Sequence, residues 1–455
     1  MLSDIAPFFS PRAVAVVGVS RSPHKIGRII FDNLTRTAAR AIRVYAINPE
    51  VPEIDGYKCY SRVSAIKDNI DLAVIAVPAP AVPAVVADCA KAKVKAAIIL
   101  TAGFSEVGNT AAERAILRAK KKMKVIGPNT MGCYDAYSKL DTIFNPAHRQ
   151  ARPAPGKIAF ISQSGALGAA VLDWCASERI GISKFISIGN RIDIDEVDIL
   201  EYLAKDPHTT AIALYLEGTK RGPALLKALR TIGKRKPIVV LKAGRTPAGA
   251  RAVMSHTASL AGEPEVWRGA LRQARVLEAH GLEELFDITK VLSEQPLPKG
   301  ARTSVITNGG GLGVLCADEI IEHKLQLAQP AKQTLNKIKP VIPLHATLGN
   351  PLDLTADSTP QMYQTALESL LADKSVDAAL VVILFQVPTM EPKIIDVISA
   401  AQRFKKPIVV CATGGEFTLM NRKLLEKAKI PTYPSPDRAA RALAALVQRA
   451  EQLKK

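Results

Sequence analysis

Short apolar runs alternate with longer amphipathic stretches along the whole chain. The short runs are rich in Val, Ile and Ala, which predicts buried strands, and the stretches between them carry apolar residues at helical spacing. Five strands are predicted in the first third of the chain, at residues 13–18, 43–47, 72–77, 96–101 and 124–126. Each ends in or is followed by Gly, Pro, Thr or Asn. Polar turns therefore gather at the carboxyl ends of the strands, where open parallel sheets bind ligands.

Two breaks interrupt this alternation. Residues 145–156 (NPAHRQARPAPG) and 294–300 (EQPLPKG) are rich in Pro and polar residues, as linkers are. Further strands are predicted after the breaks, at residues 157–162, 185–188, 211–216, 238–241, 303–307, 378–384 and 408–412. The pattern predicts three parallel α/β domains. Their boundaries are expected at 1–145, 146–298 and 299–455.

The second and third domains open in the same way. KIAFIS-QSGALG and TSVIT-NGGGLG each give a strand, a polar residue, one or more glycines and a helix. The first N–H groups of a helix lack partners and carry the positive end of its dipole. They bind an anion where glycine allows its close approach. The candidate phosphate-binding residues are Ser164, Gly165, Asn308, Gly309 and Gly310. Either turn could instead serve packing alone, but the pair favours one anion held between two helix ends.

The first domain opens with a different glycine turn. Gly18-Val19-Ser20 follows the first strand, and Lys25 precedes the next helix. Ser20 replaces the second glycine of G-x-G-x-x-G, and the second strand ends in Asn48-Pro49 without an acidic residue. These departures disfavour a nicotinamide dinucleotide. Lysine and serine at such a turn favour the binding of separate phosphates, although a lysine there is often only solvated.

One histidine and one glutamate stand out by their settings. His256 lies in residues 244–262, a run of small residues that we expect to be a conformationally free loop rather than a helix. A histidine on such a loop suits a group that must travel, or it is an exposed residue without a role. Glu217 directly follows the strand at 211–216. Its carboxylate could orient an imidazole so that the other nitrogen acts as a nucleophile, or it could cap the next helix.

Composition narrows the function classes. The 455 residues are 48% hydrophobic and 23% charged, which excludes a disordered chain. The net charge of +19 is spread over predicted helix faces without interleaved aromatic residues, so anionic ligands are favoured over nucleic acid. No secretory signal or membrane span is expected. Six cysteines without C-x-x-C spacing indicate a reducing cytoplasm, and the spacing of the seven histidines disfavours a locally built metal site.

Taken together, these motifs resemble the α subunit of NDP-forming acyl-CoA synthetases, the ADP-forming acetate:CoA ligases of archaea, which are related to succinyl-CoA synthetases. The resemblance covers essentially the whole chain. In the second domain it rests on residues 162–165 (SQSG), 189–190 (GN), 215–218 (YLEG), 242–245 (KAGR) and 255–257 (SHT). In the third it rests on residues 307–311 (TNGGG) and 350–353 (NPLD). It implies a Rossmann-like CoA-binding domain followed by two flavodoxin-like ligase domains.

The resemblance also implies roles for single residues. In the first domain it points to ten CoA-binding residues: Gly18, Ser20, Lys25, Asn48, Pro49, Val77, Pro78, Thr101, Gly103 and Asn129. It implies that His256 is phosphorylated, that Glu217 orients it, and that the helices near Ser164 and Gly309 hold phosphate between them. One departure is visible, because Ala258 stands where the family usually has glycine.

The implied reaction converts acyl-CoA, phosphate and ADP to a carboxylic acid, CoA and ATP through an acyl phosphate and a phosphohistidine, with acetyl-CoA as the expected substrate. No part of the chain resembles an ATP-grasp domain. The resemblance therefore implies a separate ATP-grasp β subunit that carries the nucleotide and Mg²⁺, in an α₂β₂ heterotetramer, with no tightly bound cofactor on this chain. The alternative is a non-catalytic CoA-binding or regulatory protein built from the same domains.

Overall fold

The computed structural model describes residues 2–37, 42–257 and 262–454, with the backbone alone for residues 2, 3, 37 and 254–257. The chain forms two compact units, Met1–His280 and Gly281–Lys455. The first unit holds two seven-stranded sheets, and the second holds one six-stranded sheet. The predicted parallel α/β class is confirmed.

The first sheet of the first unit is mostly parallel. Its strands are β1 (Ala13–Val17), β2 (Arg43–Ile47), β3 (Glu53–Ile54), β4 (Tyr57–Tyr60), β5 (Leu72–Ile75), β6 (Ala96–Ile99) and β7 (Lys124–Ile126). Its helices are α1 (Leu2–Ile5), α2 (Ile26–Thr37), α3 (Val82–Lys91) and α4 (Thr110–Ala119). The central strands are buried on both faces because helices cover the sheet, which explains their continuous apolar sequences.

The strand order of this sheet is β3-β4-β2-β1-β5-β6-β7. The chain leaves β1 toward β2 on one side and later returns to β5 on the other side. The order therefore reverses between β1 and β5. A crevice opens at the carboxyl ends of strands where such a reversal occurs, and ligands of open α/β sheets bind there.

The second sheet has the order β14-β13-β12-β10-β11-β8-β9. Its strands are β8 (Cys133–Asp135), β9 (Leu140–Asp141), β10 (Pro155–Ser162), β11 (Ile182–Ser187), β12 (Ala211–Leu216), β13 (Ile238–Lys242) and β14 (Leu277–Ala279). Its helices are α5 (Gly165–Ser177), α6 (Glu196–Leu203), α7 (Gly222–Gly233), α8 (Pro247–Thr257) and α9 (Pro264–Ala274). Strands β10 to β14 run parallel. Strand β10 lies between β11 and β12, so the direction of the strand order reverses at β10.

The chain enters the second sheet earlier than the predicted boundary at residue 145. Strand β8 lies between β11 and the edge strand β9 and pairs antiparallel with both. The segment predicted as a linker is also tied down. Arg152 forms an ion pair with the buried Asp141 and donates hydrogen bonds to the carbonyls of Asn145 and Gln150. The predicted division into three domains remains a prediction.

The expectation of a free loop across residues 244–262 is wrong for its central part. Helix α8 occupies Pro247–Thr257. Proline suits the first turn of a helix, and three alanines offset the cost of Gly249. Thr246 stabilises the helix start, because its hydroxyl accepts the N–H of Gly249 at 3.1 Å and its carbonyl accepts the N–H of Ala250 at 2.8 Å. Ala258 lies outside the described residues.

The second unit has the strand order β16-β15-β18-β19-β20, with β17 paired to β15, and its pairings are parallel. Its strands are β15 (Arg302–Thr307), β16 (Gln326–Leu327), β17 (Leu352–Asp353), β18 (Ala378–Val382), β19 (Ile408–Cys411) and β20 (Thr432–Tyr433). Its helices are α10 (Leu282–Glu294), α11 (Gly310–Glu322), α12 (Lys332–Ile338), α13 (Pro360–Ala372), α14 (Ile394–Ala401), α15 (Glu416–Lys427) and α16 (Pro436–Lys454).

Within the ranges given above, every helix is too short or too polar to cross a lipid bilayer.

A buried charge cluster fixes β8 to the rest of the second sheet. The Lys184 ammonium on β11 lies 3.0 Å from a carboxylate oxygen of Asp135 on β8 and 3.0 Å from one of Asp206. All three side chains are almost fully buried. Removal of one member of such a cluster leaves uncompensated buried charge, which costs far more than the net value of the pair.

We expect Lys184→Ala to lower the free energy of unfolding by about 3–5 kcal/mol, because two buried carboxylates lose their shared cation. Urea unfolding followed by circular dichroism measures this change. Lys205→Ala is the matched control, because Lys205 is exposed, and it is expected to change stability by less than about 0.5 kcal/mol. Equal stability of the two variants would contradict this account of β8.

Candidate functional site

A cavity of about 1930 Å³ opens in the first unit at the carboxyl ends of the strands of both its sheets. Most of the predicted binding residues line it. They are Gly18, Ser20, Lys25, Asn48, Pro49, Val77, Pro78, Thr101, Asn129, Ser164, Gly165 and Glu217. Gly103 does not line this cavity. The tertiary structure thus gathers turns that are far apart in the sequence around one space, while their individual roles remain predictions.

The turn after β1 brings the backbone of α2 very close to the first strand. Gly18 has a φ of +96°, and a Cβ there would lie 2.4 Å from the carbonyl oxygen of Ala76. Gly27, in the first turn of α2, packs directly on the same turn, because its Cβ would lie 2.2 Å from the carbonyl oxygen of Gly18. Only glycine fits at either position. The start of α2 is therefore seated against the cavity wall.

Several predicted binding side chains hold the loops in place. The Asn48 amide donates to the carbonyl of Val19 at 2.6 Å and accepts the N–H of Glu50 at 2.8 Å. The Thr101 hydroxyl donates to the carbonyl of Val77 at 2.7 Å. These side chains join neighbouring loops at the strand ends. Lys25 is exposed at the cavity edge, where its ammonium is available to an anionic ligand.

A polar network closes the side of the cavity formed by the loop after β7. Asn129 adopts a left-handed φ of +57°, and its amide donates to the side-chain oxygen of Asn190 at 3.3 Å. The Asn190 amide in turn donates to Glu106 at 2.5 Å and to Glu113 at 2.9 Å. Burial acts to raise the pKa of Glu106. Hydrogen bonds from Asn190 and from the Gly103 N–H outweigh this effect, so the net shift of the pKa is downward. Glu106 is therefore an anchoring carboxylate that stays ionised.

The amino end of α5 faces the cavity and has the features of an anion site. Ser164 is its N-cap, and the Ser164 hydroxyl accepts the N–H of Leu167 at 3.4 Å. The hydroxyl of Ser162 donates to the Ser164 carbonyl at 2.7 Å and accepts its N–H at 3.2 Å. Gly165 leaves the helix start without a side chain. Unpaired backbone N–H groups at a helix start attract phosphate and carboxylate groups.

Glu217 lies at the carboxyl end of β12, with 3% of its surface exposed. The Tyr215 hydroxyl lies 3.4 Å from one of its carboxylate oxygens. Glu217 does not cap the next helix, because α7 begins at Gly222 with Arg221 as its N-cap. Of the two interpretations left open by the sequence, capping is therefore wrong, and the carboxylate is held at the cavity wall.

Gln163 is a site residue that sequence reasoning missed. Its amide oxygen accepts the N–H groups of Glu217 at 2.6 Å and Gly218 at 3.0 Å, and its amide nitrogen donates to the Gly218 carbonyl at 2.7 Å. Gln163 directly precedes the N-cap of α5. One buried side chain thus joins the start of α5 to the end of β12. The available sequence signal was its place in the SQSG motif of residues 162–165, directly before the predicted Ser164.

Two cations lie beside the Glu217 strand end. Arg191 donates from its Nη1 to the Gly218 carbonyl at 2.8 Å and lies 3.4 Å from a carboxylate oxygen of Glu196. Lys220 donates to the Asn190 carbonyl at 3.0 Å, and burial together with the charge of Arg191 lowers the pKa of Lys220. Both line the cavity. They bring two cationic side chains to the end of the cavity that also holds the Glu217 carboxylate.

Lys242 supports Glu217 from behind. Its ammonium donates to the Glu217 carbonyl at 2.7 Å and also to the Ala243 carbonyl, and it lies 5.1 Å from the centre of the Trp267 ring. The side chain is 3% exposed. Burial lowers the pKa of Lys242 to about 8, and the Glu217 charge opposes this shift.

The second unit repeats the bridge made by Gln163. The Asn308 amide accepts the N–H of Leu384 at 2.8 Å and donates to its carbonyl at 3.2 Å. The Thr307 hydroxyl bonds to the N–H and the carbonyl of Gly309, at 2.9 Å each, as Ser162 does with Ser164. Gly310 begins α11. The predicted phosphate-binding residues therefore form the same local structure in both units, and their binding role remains a prediction.

The predicted nucleophile is only partly described. The backbone of His256 lies in α8, one residue before its end, while its side chain lies outside the described residues. Among the side chains that are described, His, Cys, Asp and Glu form no group of three or more that could hold a metal ion.

Three domain families match successive parts of the chain. The CoA binding domain matches residues 12–135, the succinyl-CoA ligase like flavodoxin domain matches residues 155–292, and the ligase-CoA domain matches residues 303–450.

Known proteins also match nearly the whole length of this chain. The chain is 38% identical to the alpha subunit of acetate–CoA ligase [ADP-forming] II of Pyrococcus furiosus, over 98% of each chain. It is 37% identical to acetate–CoA ligase [ADP-forming] I of Archaeoglobus fulgidus, with 96% of this chain matched but only 62% of that protein's length. A solved structure of "dinucleotide forming Acetyl-coenzyme A synthetase 1" of Ca. Korarchaeum cryptofilum, in complex with phosphate and ADP, matches with a TM-score of 0.92 and 40% identity. The match covers 100% of this chain and 98% of that one.

The depressed pKa of Lys242 predicts a pH dependence of stability. Below about pH 8 the folded state bears the full cost of the buried charge. Between about pH 8 and the ordinary lysine pKa of 10.5, the unfolded state binds more protons than the folded state, so the free energy of unfolding rises with pH. We expect the wild type to gain roughly 2 kcal/mol relative to Lys242→Met across this window. Urea unfolding of both proteins at each pH measures the difference, and a constant difference would contradict the prediction.

Proposed function

The chain belongs to the family of ADP-forming acetate–CoA ligases, and we propose on this basis that it is the alpha subunit of an ADP-forming acyl-CoA synthetase that acts on acetyl-CoA. The observation that carries the proposal is the shared cavity. The turns predicted to bind CoA, the start of α5 and the Glu217 carboxylate all line it. A thioester and a phosphate could therefore meet beside the carboxylate that would orient the histidine nucleophile.

The proposed reaction begins with attack of a phosphate oxygen on the thioester carbonyl, which forms an acyl phosphate and releases CoA as the C–S bond breaks. An imidazole nitrogen of His256 then attacks the phosphorus, and the carboxylate leaves. ADP takes the phosphoryl group from the histidine to give ATP. The covalent intermediate divides one transfer into easier steps. In this scheme the N–H groups at the start of α5 stabilise the phosphate charge, and Glu217 orients the imidazole of His256.

The nucleotide step requires a partner. This chain spans 62% of the Archaeoglobus fulgidus ligase but 98% of the Pyrococcus furiosus alpha subunit. We propose that a separate ATP-grasp β subunit supplies the missing part, binds ADP with Mg²⁺, and assembles with this chain as an α₂β₂ heterotetramer. Mg²⁺ supplies charge neutralisation at the transferred phosphate when it is bound. We propose that the protein acts in the cytoplasm.

The phosphohistidine is tested by labelling. The chain is mixed with an ATP-grasp partner subunit, acetyl-CoA and radiolabelled phosphate, without ADP. We expect an acid-labile label on the alpha chain that is lost when ADP is added, and no label on His256→Ala. His148→Ala is the matched control, because His148 is exposed and is expected to label normally.

An unlabelled wild type or a labelled His256→Ala variant would refute this role. Binding of CoA without ATP formation would instead support a non-catalytic CoA-binding protein.

The close packing of Gly27 on the Gly18 turn predicts a specific effect on CoA binding. A methyl group at Gly27 would collide with the Gly18 carbonyl, so Gly27→Ala must push the start of α2 away from the turn. We expect the Kd for CoA to rise at least about tenfold, measured by titration calorimetry. Gly269→Ala in α9 is the control, because a Cβ there has open space. Equal CoA affinity of the two variants would contradict the assignment of this turn to CoA.

A further inference from the structure

We propose that Gln163 is the positioning residue of the active site, because its buried amide sets the start of α5 and the Glu217 strand end at one fixed distance. This inference rests on the proposed function. Gln163 connects the element that would hold phosphate with the carboxylate that would orient the nucleophile. It acts through Glu217 and α5 rather than by chemistry of its own.

The first support is the completeness of the bridge. The amide of Gln163, 7% exposed, makes three bonds of 3.0 Å or less to the backbone of Glu217 and Gly218. Those backbone groups lie just beyond the end of β12. A primary amide has donors and an acceptor on one rigid plane, so it can occupy an N–H and a C=O of the same strand end together. Few side chains could replace it.

The second support is the set of groups that hold the same strand end from other sides. Lys242 donates to the Glu217 carbonyl, and Arg191 donates to the Gly218 carbonyl. Glu196 is fully buried, with one carboxylate oxygen 3.5 Å from the Gln163 amide nitrogen. The backbone beside the carboxylate is therefore held by several buried polar contacts. Gln163 alone among these partners adjoins the N-cap of α5.

The third support is the repeat in the second unit. Asn308 bridges to both backbone groups of Leu384 from the position that corresponds to Gln163, directly before the N-cap of α11. The two units share this device although their side chains differ in length. An amide before a helix N-cap that reaches the end of the next parallel strand fixes the helix start relative to the sheet. The helix start is the part of each unit where an anion would bind.

A comparison of two buried glutamines tests the inference. Gln163→Met keeps the volume but removes the bridge, and Gln150→Met is the matched control. Gln150 is 4% exposed and donates to the carbonyl of Ala169, which lies in α5. None of the hydrogen bonds described for Gln150 reaches Glu217. In the complex with the β subunit, we expect Gln163→Met to lower kcat about 100-fold with KM for acetyl-CoA within threefold, because small misplacements at a reacting centre have effects of this size. Gln150→Met is expected to keep kcat within threefold.

Hydrogen exchange gives a readout that does not depend on activity. In the same complexes, we expect the peptide containing the N–H groups of Glu217 and Gly218 to exchange at least tenfold faster in Gln163→Met than in Gln150→Met. If Gln163→Met does not fold, Gln163→Asn, which keeps the amide but shortens its reach, is expected to show the same kcat loss.

The outcomes separate the two proposals. A folded wild-type complex that forms no ATP refutes the proposed function, and the inference is then decided by exchange alone. A wild-type kcat in Gln163→Met, an equal loss in Gln150→Met, or equal exchange in the two variants overturns the role of Gln163.

Discussion

The structure depends on how backbone groups are satisfied where parallel strands end. Beyond the last ladder bond, each N–H and C=O needs another partner, because an unpaired buried backbone group is costly. Here short polar side chains supply the partners: Asn48, Thr101, Gln163 and Asn308 each bond to the backbone of a neighbouring loop or strand end. The Gln163 and Asn308 bridges lie directly before the N-caps of α5 and α11. In each unit the same constraint therefore fixes a helix start beside the strand ends, and a helix start is where an anion would bind.

Close backbone packing shapes the cavity wall of the first unit. Gly18 and Gly27 allow α2 to rest on the first turn, and no side chain larger than hydrogen fits between them. This part of the cavity wall is consequently made of backbone, while charged side chains such as Lys220 and Glu217 line it elsewhere. Lys242 and Arg191 contact the backbone next to Glu217 from the protein interior. Burial of the Lys242 ammonium lowers its pKa to about 8, although the neighbouring Glu217 charge acts in the opposite direction.

Local sequence patterns predicted much of this arrangement. Alternating apolar segments indicated the parallel strands, and the glycine turns indicated the starts of α5 and α11. Twelve of the predicted site residues line the cavity of the first unit. The helix α8 was missed because its glycines and small polar residues suggested flexibility, whereas Pro247 and Thr246 stabilise its first turn. The entry of β8 into the second sheet was missed because a strand of three residues has too little periodicity to reveal its partner.

The sequence by itself determined the long buried strands and where the polar turns follow them, because these properties depend on residues a few positions apart. Only the tertiary structure decided which turns meet. Gln163 and Glu217 are separated by 54 positions and become neighbours because β10 and β12 lie side by side. The capping role that the sequence allowed for Glu217 is wrong for a local reason, because α7 begins only at Gly222 with Arg221 as its N-cap. Contacts between distant positions depend on sheet topology, which short-range periodicity does not encode.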